Sequence, residues 1–116
     1  FRIGDAVIIG FPGEVFTHVG TIIRNAIPNM NVITVGNANS TMRYIPTRED
    51  IENNGYAGMS SCILYQRLPL EPGQAEYMAE VVANAVKERF CEWYSNADTV
   101  RYDILFPLKI NKRGCC

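Results

Sequence analysis

Asp5-Ala-Val-Ile-Ile-Gly-Phe-Pro-Gly-Glu14 is the stretch that decides the fold, because a strand, a turn and the approach to a helix meet in it. Its first part, Asp5 to Phe11, is a continuous apolar run of the kind found in central strands buried on both faces of a sheet. The Pro-Gly pair then ends the strand. From Val15 to Ala26 the apolar side chains recur at helical spacing, which predicts an amphipathic helix that stops before Pro28.

The residues after this helix predict a second strand and complete a βαβ unit. Asn31 to Gly36 is dense in β-branched side chains and is bracketed by turn residues. A strand, a helix and a strand in this order are typical of the α/β class. We therefore predict an α/β fold, with a βαβ-containing mixed sheet flanked by helices.

Further along the chain, the sequence predicts two more helices. Thr47, followed three residues later by an acid, is typical of a helix N-cap, with a short helix from Arg48 to about Asn53. The segment from Gln74 to Phe90 is rich in helix formers and predicts the longest helix. We expect an extended piece within Tyr56 to Tyr65 and an edge strand from Val100 to Phe106.

The bulk composition restricts the classes of function. The 116 residues are 47% hydrophobic, which suits one domain, and no apolar run reaches the roughly 20 residues of a transmembrane segment. Eleven basic and twelve acidic residues give a formal charge of -1 without a basic block, so nucleic acid is not expected as a partner. The chain starts at Phe1 without a methionine, and we expect it to be truncated at the front. Its cysteines lack Cys-x-x-Cys spacing and indicate no zinc ribbon; they are Cys62, Cys91, Cys115 and Cys116.

Glu14 is the first candidate functional residue because it lies at a strand-to-helix turn. Side chains at the carboxyl ends of strands converge on the crevice where α/β proteins bind ligands. Two roles are open for Glu14: a metal ligand or general base, or a carboxylate that stabilises the first turn of the helix through its dipole. His18 follows four residues later on the same helical face, where it is either a second metal ligand or a surface histidine.

Two tyrosines and a polar loop are the other candidates. Tyr44 and Tyr56 flank the Thr47 cap, where their rings pack against neighbours or their phenols supply a metal ligand, an oxyanion donor or a proton. The loop from Asn37 to Thr41 either donates hydrogen bonds to a ligand or forms an ordinary turn. The usual glycine-rich, nucleophile-elbow and His-Glu-x-x-His motifs are missing, so nucleotide binding and serine or zincin-type hydrolysis lose their markers.

Four short segments follow one another in an informative order. They are Arg2 to Phe16 with its Pro-Gly-Glu, then Val35-Gly-Asn-Ala-Asn39, then Tyr44-Ile-Pro-Thr-Arg-Glu49, and then Gly55-Tyr56. Their order and spacing resemble the neutral/alkaline, non-lysosomal ceramidase family. The resemblance covers about residues 1 to 90, up to the long last helix, and corresponds to the C-terminal part of that family's catalytic domain. It implies that the α/β fold is part of a larger catalytic domain, and it leaves residues 91 to 116 as an unassigned tail.

In that family, zinc activates water to hydrolyse the amide bond of ceramide (N-acylsphingosine), which gives sphingosine and a fatty acid. The resemblance implies zinc as the cofactor, a ceramide-like lipid amide as the substrate, and Glu14 and Tyr44 as metal ligands. The family's histidine ligands come from earlier in its chain, so the remainder of the catalytic domain is an implied partner. Thr41 and Ala57 differ from the family pattern and favour the alternative, a non-catalytic α/β module that binds lipid or protein.

Overall fold

The computed structural model describes residues 1–90, so the predicted strand at 100–106 and the cysteines after residue 90 lie outside the described residues. The chain forms β1 (Arg2–Ile3), β2 (Ala6–Gly10), β3 (Glu14–Val15), α1 (Thr17–Ala26), β4 (Asn31–Val35), β5 (Tyr44–Ile45), α2 (Arg48–Glu52), a π-helix (Tyr56–Ser60), α3 (Ser61–Tyr65) and α4 (Gln74–Phe90). The predicted α/β class is confirmed. Within residues 1–90, no helix combines the length and the apolar character that crossing a bilayer requires.

Two sheets organise these elements. The larger sheet has three strands in the order β1-β2-β4, with β1 antiparallel to β2, and β4 parallel to β2. Helix α1 connects the two parallel strands, so the predicted βαβ unit and the mixed sheet are confirmed. β3 and β5 form a separate two-stranded parallel sheet. The order also confirms β2 as the central strand of the larger sheet.

The core lies between one face of the larger sheet and the helices α1 and α4. Val7 of β2, Ile23 of α1 and Val86 of α4 are fully buried in one apolar cluster. Each helix contributes one stripe, because apolar residues at a period of 3.6 fall on a single helical face. The buried alanines of α4 allow a close approach to α1. This packing holds the βαβ unit and the turn that follows β2.

Helix α1 begins at Thr17, two residues later than the apolar spacing predicts. Glu14 and Val15 instead form β3, because pairing with β5 draws their backbone into an extended conformation before the helix begins. The first turn of α1 consequently contains no acidic residue, and the helix-dipole role for Glu14 is wrong. The predicted shared helical face of Glu14 and His18 is wrong for the same reason.

The segment from Tyr56 to Tyr65 is helical, so the extended piece predicted there is wrong. The π-helix makes a wide turn and runs directly into α3. Ser61 Oγ donates a hydrogen bond to the Ala57 carbonyl at 2.7 Å, which satisfies a polar group inside this turn. Asp50 Oδ2 accepts from Gly58 N at 2.7 Å and ties the turn to α2. These side-chain contacts favour the helical conformation over an extended one.

Thr47 caps α2, as the sequence predicts. Its Oγ1 accepts a hydrogen bond from Asp50 N at 3.3 Å. We expect Thr47→Ala to lower the free energy of unfolding by about 1 kcal/mol, because the first turn loses this acceptor. Urea unfolding followed by circular dichroism measures the change. Thr41→Ala, at an exposed position, is the control and should stay within about 0.5 kcal/mol; equal losses in both variants would contradict the capping role.

Candidate functional site

The candidate site lies at the carboxyl edge of the larger sheet. β2 and β4 are parallel, so the chain leaves both strands at the same edge. The loop after β4 then folds back over the Pro12-Gly13 turn. Asn37 N donates to Gly13 O at 2.9 Å, and Met42 N donates to Pro12 O at 3.0 Å. This loop places β5 beside β3.

Glu14 and Tyr44 are direct partners across the β3–β5 pair. They occupy opposite positions in the parallel register, and Glu14 N donates to the Arg43 carbonyl at 2.9 Å. Hydrogen bonding to Glu14 raises the pKa of the Tyr44 phenol above its ordinary value, and the negative charge of Glu14 adds to the effect. The structure therefore brings together the two residues for which the family resemblance implies a role as metal ligands.

Two further tyrosines surround this pair. Tyr65 Oη donates a hydrogen bond to Glu14 Oε1 at 3.2 Å. The Tyr44 ring meets the Tyr56 ring edge to face, with centroids 5.8 Å apart, and meets the Tyr65 ring in the same way at 6.1 Å. This arrangement is the one that aromatic quadrupoles favour. We call Glu14, Tyr44, Tyr56 and Tyr65 the Glu14–tyrosine cluster.

The Glu14 carboxylate contributes to the raised pKa of two phenols in the cluster. Partial burial raises the pKa of Tyr65, and its hydrogen bond to Glu14 raises it further. Both shifts favour the neutral phenol, since a phenolate would place a second negative charge beside the carboxylate. A bound divalent cation would act in the opposite direction, because its positive charge stabilises ionised oxygen ligands.

The donor chemistry of the cluster fits a zinc ion in part. A carboxylate beside a phenol offers oxygen ligands that zinc and harder divalent cations accept. Catalytic zinc usually has about three protein ligands. Among residues 1–90, no group of three or more His, Cys, Asp or Glu side chains lies close enough to hold a metal. A zinc ion held by Glu14 and Tyr44 would therefore need further ligands from outside the described residues.

The other sequence-derived candidates separate into those that join the cluster and those that do not. Tyr56 joins it through the edge-to-face contact with Tyr44. His18 is exposed and lines a different cavity of about 560 Å³, which it shares with α2 and which Glu14 does not line. In the loop from Asn37 to Thr41, Asn37 and Asn39 have positive φ, as asparagine in tight turns often does. The described geometry of that loop is the one expected for a turn.

Tyr65 is the member of the cluster that the sequence patterns do not predict. An extended segment would carry Tyr65 about 30 Å from Tyr56, whereas the π-helix and α3 fold it back beside Tyr44. A helical signal was present in the small side chains of Ala57, Ser61 and Cys62, which recur at helical spacing and are all buried. Apolar periodicity does not detect it because exposed positions of the same segment also carry large apolar side chains, namely Met59, Ile63 and Leu64.

The fold and the cluster define an α/β domain that presents a carboxylate and phenols at the carboxyl edge of its sheets. Part of the chain is similar to neutral ceramidase 2 of Arabidopsis thaliana, with 37% identity over an alignment of 79 residues that covers 57% of this chain. The chain spans about 10% of the length of that relative. No family model and no solved structure matches the chain. The partial similarity hints at a ceramidase-like origin.

Proposed function

We propose that this chain is a portion of a zinc-dependent amidohydrolase that resembles the neutral ceramidases. Its reaction is hydrolysis of the amide bond of a ceramide-like lipid to a sphingoid base and a fatty acid. The observation that supports the proposal is the pairing of Glu14 with Tyr44 across β3 and β5, which sets a carboxylate residue beside a phenol residue. The partial similarity to a neutral ceramidase supports the class of substrate.

Glu14 and Tyr44 are the proposed zinc ligands in this chain. Zinc, when bound, polarises an amide carbonyl and lowers the pKa of its water towards about 7. Tyr65 orients the carboxylate, because its hydroxyl donates to Glu14 Oε1. Tyr56 is the exposed phenol of the cluster and is the one that a substrate can reach from solvent. The role of Tyr65 rests on its hydrogen bond to Glu14, and the role of Tyr56 rests on its exposure to solvent.

The proposal requires ligands from a longer polypeptide. His18 is the chain's one histidine, and it lines a cavity apart from the cluster. The chain spans about 10% of the length of its relative. We propose that the remaining ligands and most of the acyl-chain pocket belong to the rest of the catalytic domain.

Measurement of bound zinc tests the proposal directly. Residues 1–116 are expressed together with the adjoining coding sequence, as one longer polypeptide. Its zinc content and its hydrolysis of a fluorescent N-acylsphingosine are then measured. We expect Glu14→Gln to lower both by at least about tenfold, because a neutral amide replaces a carboxylate ligand. Glu52→Gln is the matched control, since it removes an exposed carboxylate of α2 that lies outside the cluster.

The outcomes separate ligation from folding. Unchanged zinc content and unchanged amide hydrolysis in Glu14→Gln would overturn the assignment. The circular dichroism spectrum and thermal unfolding of each variant show whether a loss reflects the missing ligand or a damaged fold. Equal losses in Glu14→Gln and Glu52→Gln would also contradict a specific role for Glu14.

A second candidate function is favoured by apolar side chains near the cluster. Ile63 and Leu64 of α3 and the following Leu68 are 81%, 71% and 85% exposed. Exposed apolar groups that lie close together indicate a surface for protein or lipid. A non-catalytic lipid- or protein-binding module would use this surface without zinc. It predicts that the longer polypeptide binds ceramide-containing vesicles while holding no zinc and hydrolysing no amide.

A further inference from the structure

The larger sheet is covered on one face only by the residues that the structure describes. Side chains of successive strand residues point to opposite faces. Val7 and Val32 face α1 and α4 and contact the apolar core. Ile8, Ile33 and Val35 alternate with them along β2 and β4 and do not belong to that core. These three side chains therefore lie on the opposite face.

This opposite face is apolar and open within residues 1–90. Ile3, Ile33 and Val35 are 46%, 50% and 41% exposed, and the register places Ile8 beside Ile33. Sheets made only of parallel strands occur almost always with both faces covered, and β2 and β4 are the parallel pair of this sheet. A contiguous exposed apolar patch marks a contact surface in most soluble proteins. We call Ile3, Ile8, Ile33 and Val35 the outer sheet face.

The same sheet ends in an open edge among the described residues. β4 is the last strand in the order β1-β2-β4. Asn31 N donates to Asp5 O at 3.1 Å, so the backbone of Asn31 faces β2. Because neighbouring residues in a strand direct their backbone groups to opposite sides, Val32 and Thr34 present their N–H and C=O groups at the free edge. Such groups pair readily with a further strand.

We propose that the outer sheet face and the free edge of β4 dock a strand-and-helix segment of the same longer polypeptide. The free edge and the outer sheet face together favour a strand-and-helix segment over a second copy of the chain. A second copy that pairs β4 with β4 would satisfy the edge and leave the outer sheet face open. A second copy stacked on that face would leave the edge unpaired. A strand beside β4 extends the sheet, and the helix connected to it crosses Ile8 and Ile33, so one segment covers both.

The length of the relative agrees with this occupant. The chain spans 10% of neutral ceramidase 2 from Arabidopsis thaliana, so a protein of that size has ample polypeptide to supply another layer. A strand parallel to β4 would also end at the edge of the sheet where Glu14 lies. The docking itself needs neither zinc nor hydrolysis. A longer polypeptide that docks without binding zinc would overturn the proposed function and leave this inference intact.

Hydrogen exchange of individual backbone amides tests the edge. The amides of Val32 and Thr34 are followed by NMR or mass spectrometry in the 116-residue chain and in the polypeptide with its adjoining coding sequence restored. We expect at least about a hundredfold slower exchange of both amides in the longer polypeptide, because a neighbouring strand would accept their hydrogen bonds. Equal exchange in the two forms would overturn the proposal.

A charge placed on the outer sheet face tests the covering layer. Ile33→Lys should lower the yield of folded longer polypeptide by at least about tenfold, because the docked layer would bury an unpaired ammonium group. Val81→Lys is the matched control, because Val81 is 47% exposed on α4 and Ile33 is 50% exposed. In the 116-residue chain both variants should retain the parent's circular dichroism spectrum and unfolding midpoint.

Three further results would contradict the proposal. One is equal tolerance of Ile33→Lys and Val81→Lys in the longer polypeptide. Another is a discrete dimer of the 116-residue chain in sedimentation that Ile33→Lys dissociates, since that result would assign the surface to a second copy. The third is a coding sequence with nothing adjoining residues 1–116, because no segment of the same polypeptide could then dock.

Discussion

Ile23→Ala is expected to remove about 2–5 kcal/mol from the free energy of unfolding. Ile23 is fully buried in α1 and belongs to the core formed with β2 and α4. Truncation to alanine removes apolar contacts and leaves a cavity that the surrounding side chains fill only in part. Small domains are stable by about 5–15 kcal/mol in total. The variant should therefore lose a large share of its stability.

Ile63→Ala provides the matched measurement. It removes the same atoms from α3 at a position that is 81% exposed, so it should change the free energy of unfolding by less than about 0.5 kcal/mol. Urea unfolding of both variants, followed by far-ultraviolet circular dichroism, gives the two values under one condition. Equal losses would show that burial between α1, α4 and the sheet does not determine the stability of the chain.

The βαβ unit could be predicted because its signals are local. The apolar run of β2, the stripe of α1 and the β-branched residues of β4 each fit a period that one segment contains. Helix α4 was predicted with its bounds for the same reason. By contrast, β3 and β5 are two residues each and exist through their pairing with one another. No local period encodes such a pair, and neither strand was predicted.

Only the part of the candidate site that depends on local sequence could be predicted. The strand-to-helix turn placed Glu14 at the carboxyl edge of a sheet, which the structure agrees with. The proximity of Glu14 and Tyr44 depends on the loop that folds back over Pro12 and Gly13, and in the sequence only the family resemblance connects the two residues. Tyr65 required the unpredicted π-helix. Long-range backbone contacts therefore build the part of the cluster that sequence patterns do not show.

The sequence of β2 predicts more burial than the described residues provide. The continuous apolar run from Asp5 to Phe11 predicts a strand buried on both faces. Within residues 1–90, β2 is covered on the Val7 face, while Ile8 faces away from the core beside Ile33. The sequence of β2 thus has the composition of a strand inside a larger layered domain. This is the same surface on which we propose that a further segment docks.

Gly13→Ala is expected to destabilise the chain and to disturb the Glu14–tyrosine cluster. A Cβ atom at Gly13 would lie 2.6 Å from the Arg43 carbonyl oxygen, which is closer than real Cβ contacts allow. That oxygen accepts the hydrogen bond from Glu14 N at 2.9 Å, so a shift of either backbone weakens the bond that aligns β3 with β5. We expect a loss of about 2–3 kcal/mol, as for other overpacked sites.

Gly36→Ala is the matched control because it adds the same methyl group to the same turn region. Its nearest heavy atom would be Gly13 O at 3.3 Å, which a small movement relieves, so we expect a loss below about 1 kcal/mol. Urea unfolding measures both losses, and the ring resonances of Tyr44 report whether its contacts with Tyr56 and Tyr65 change. Full stability with unchanged Tyr44 resonances in Gly13→Ala would contradict the described approach of β3 to β5.

Gly13→Ala also tests whether the position of the two proposed zinc ligands matters separately from their chemical identity. It leaves Glu14 and Tyr44 chemically unchanged and moves the strands that carry them. Metal ligation tolerates only a few tenths of an ångström in ligand distance, so the longer polypeptide with Gly13→Ala should lose zinc even where it stays folded. Zinc retained at the parent level would mean that the β3–β5 pairing does not position the two ligands. The close approach at Gly13 would then serve the packing of the turn alone.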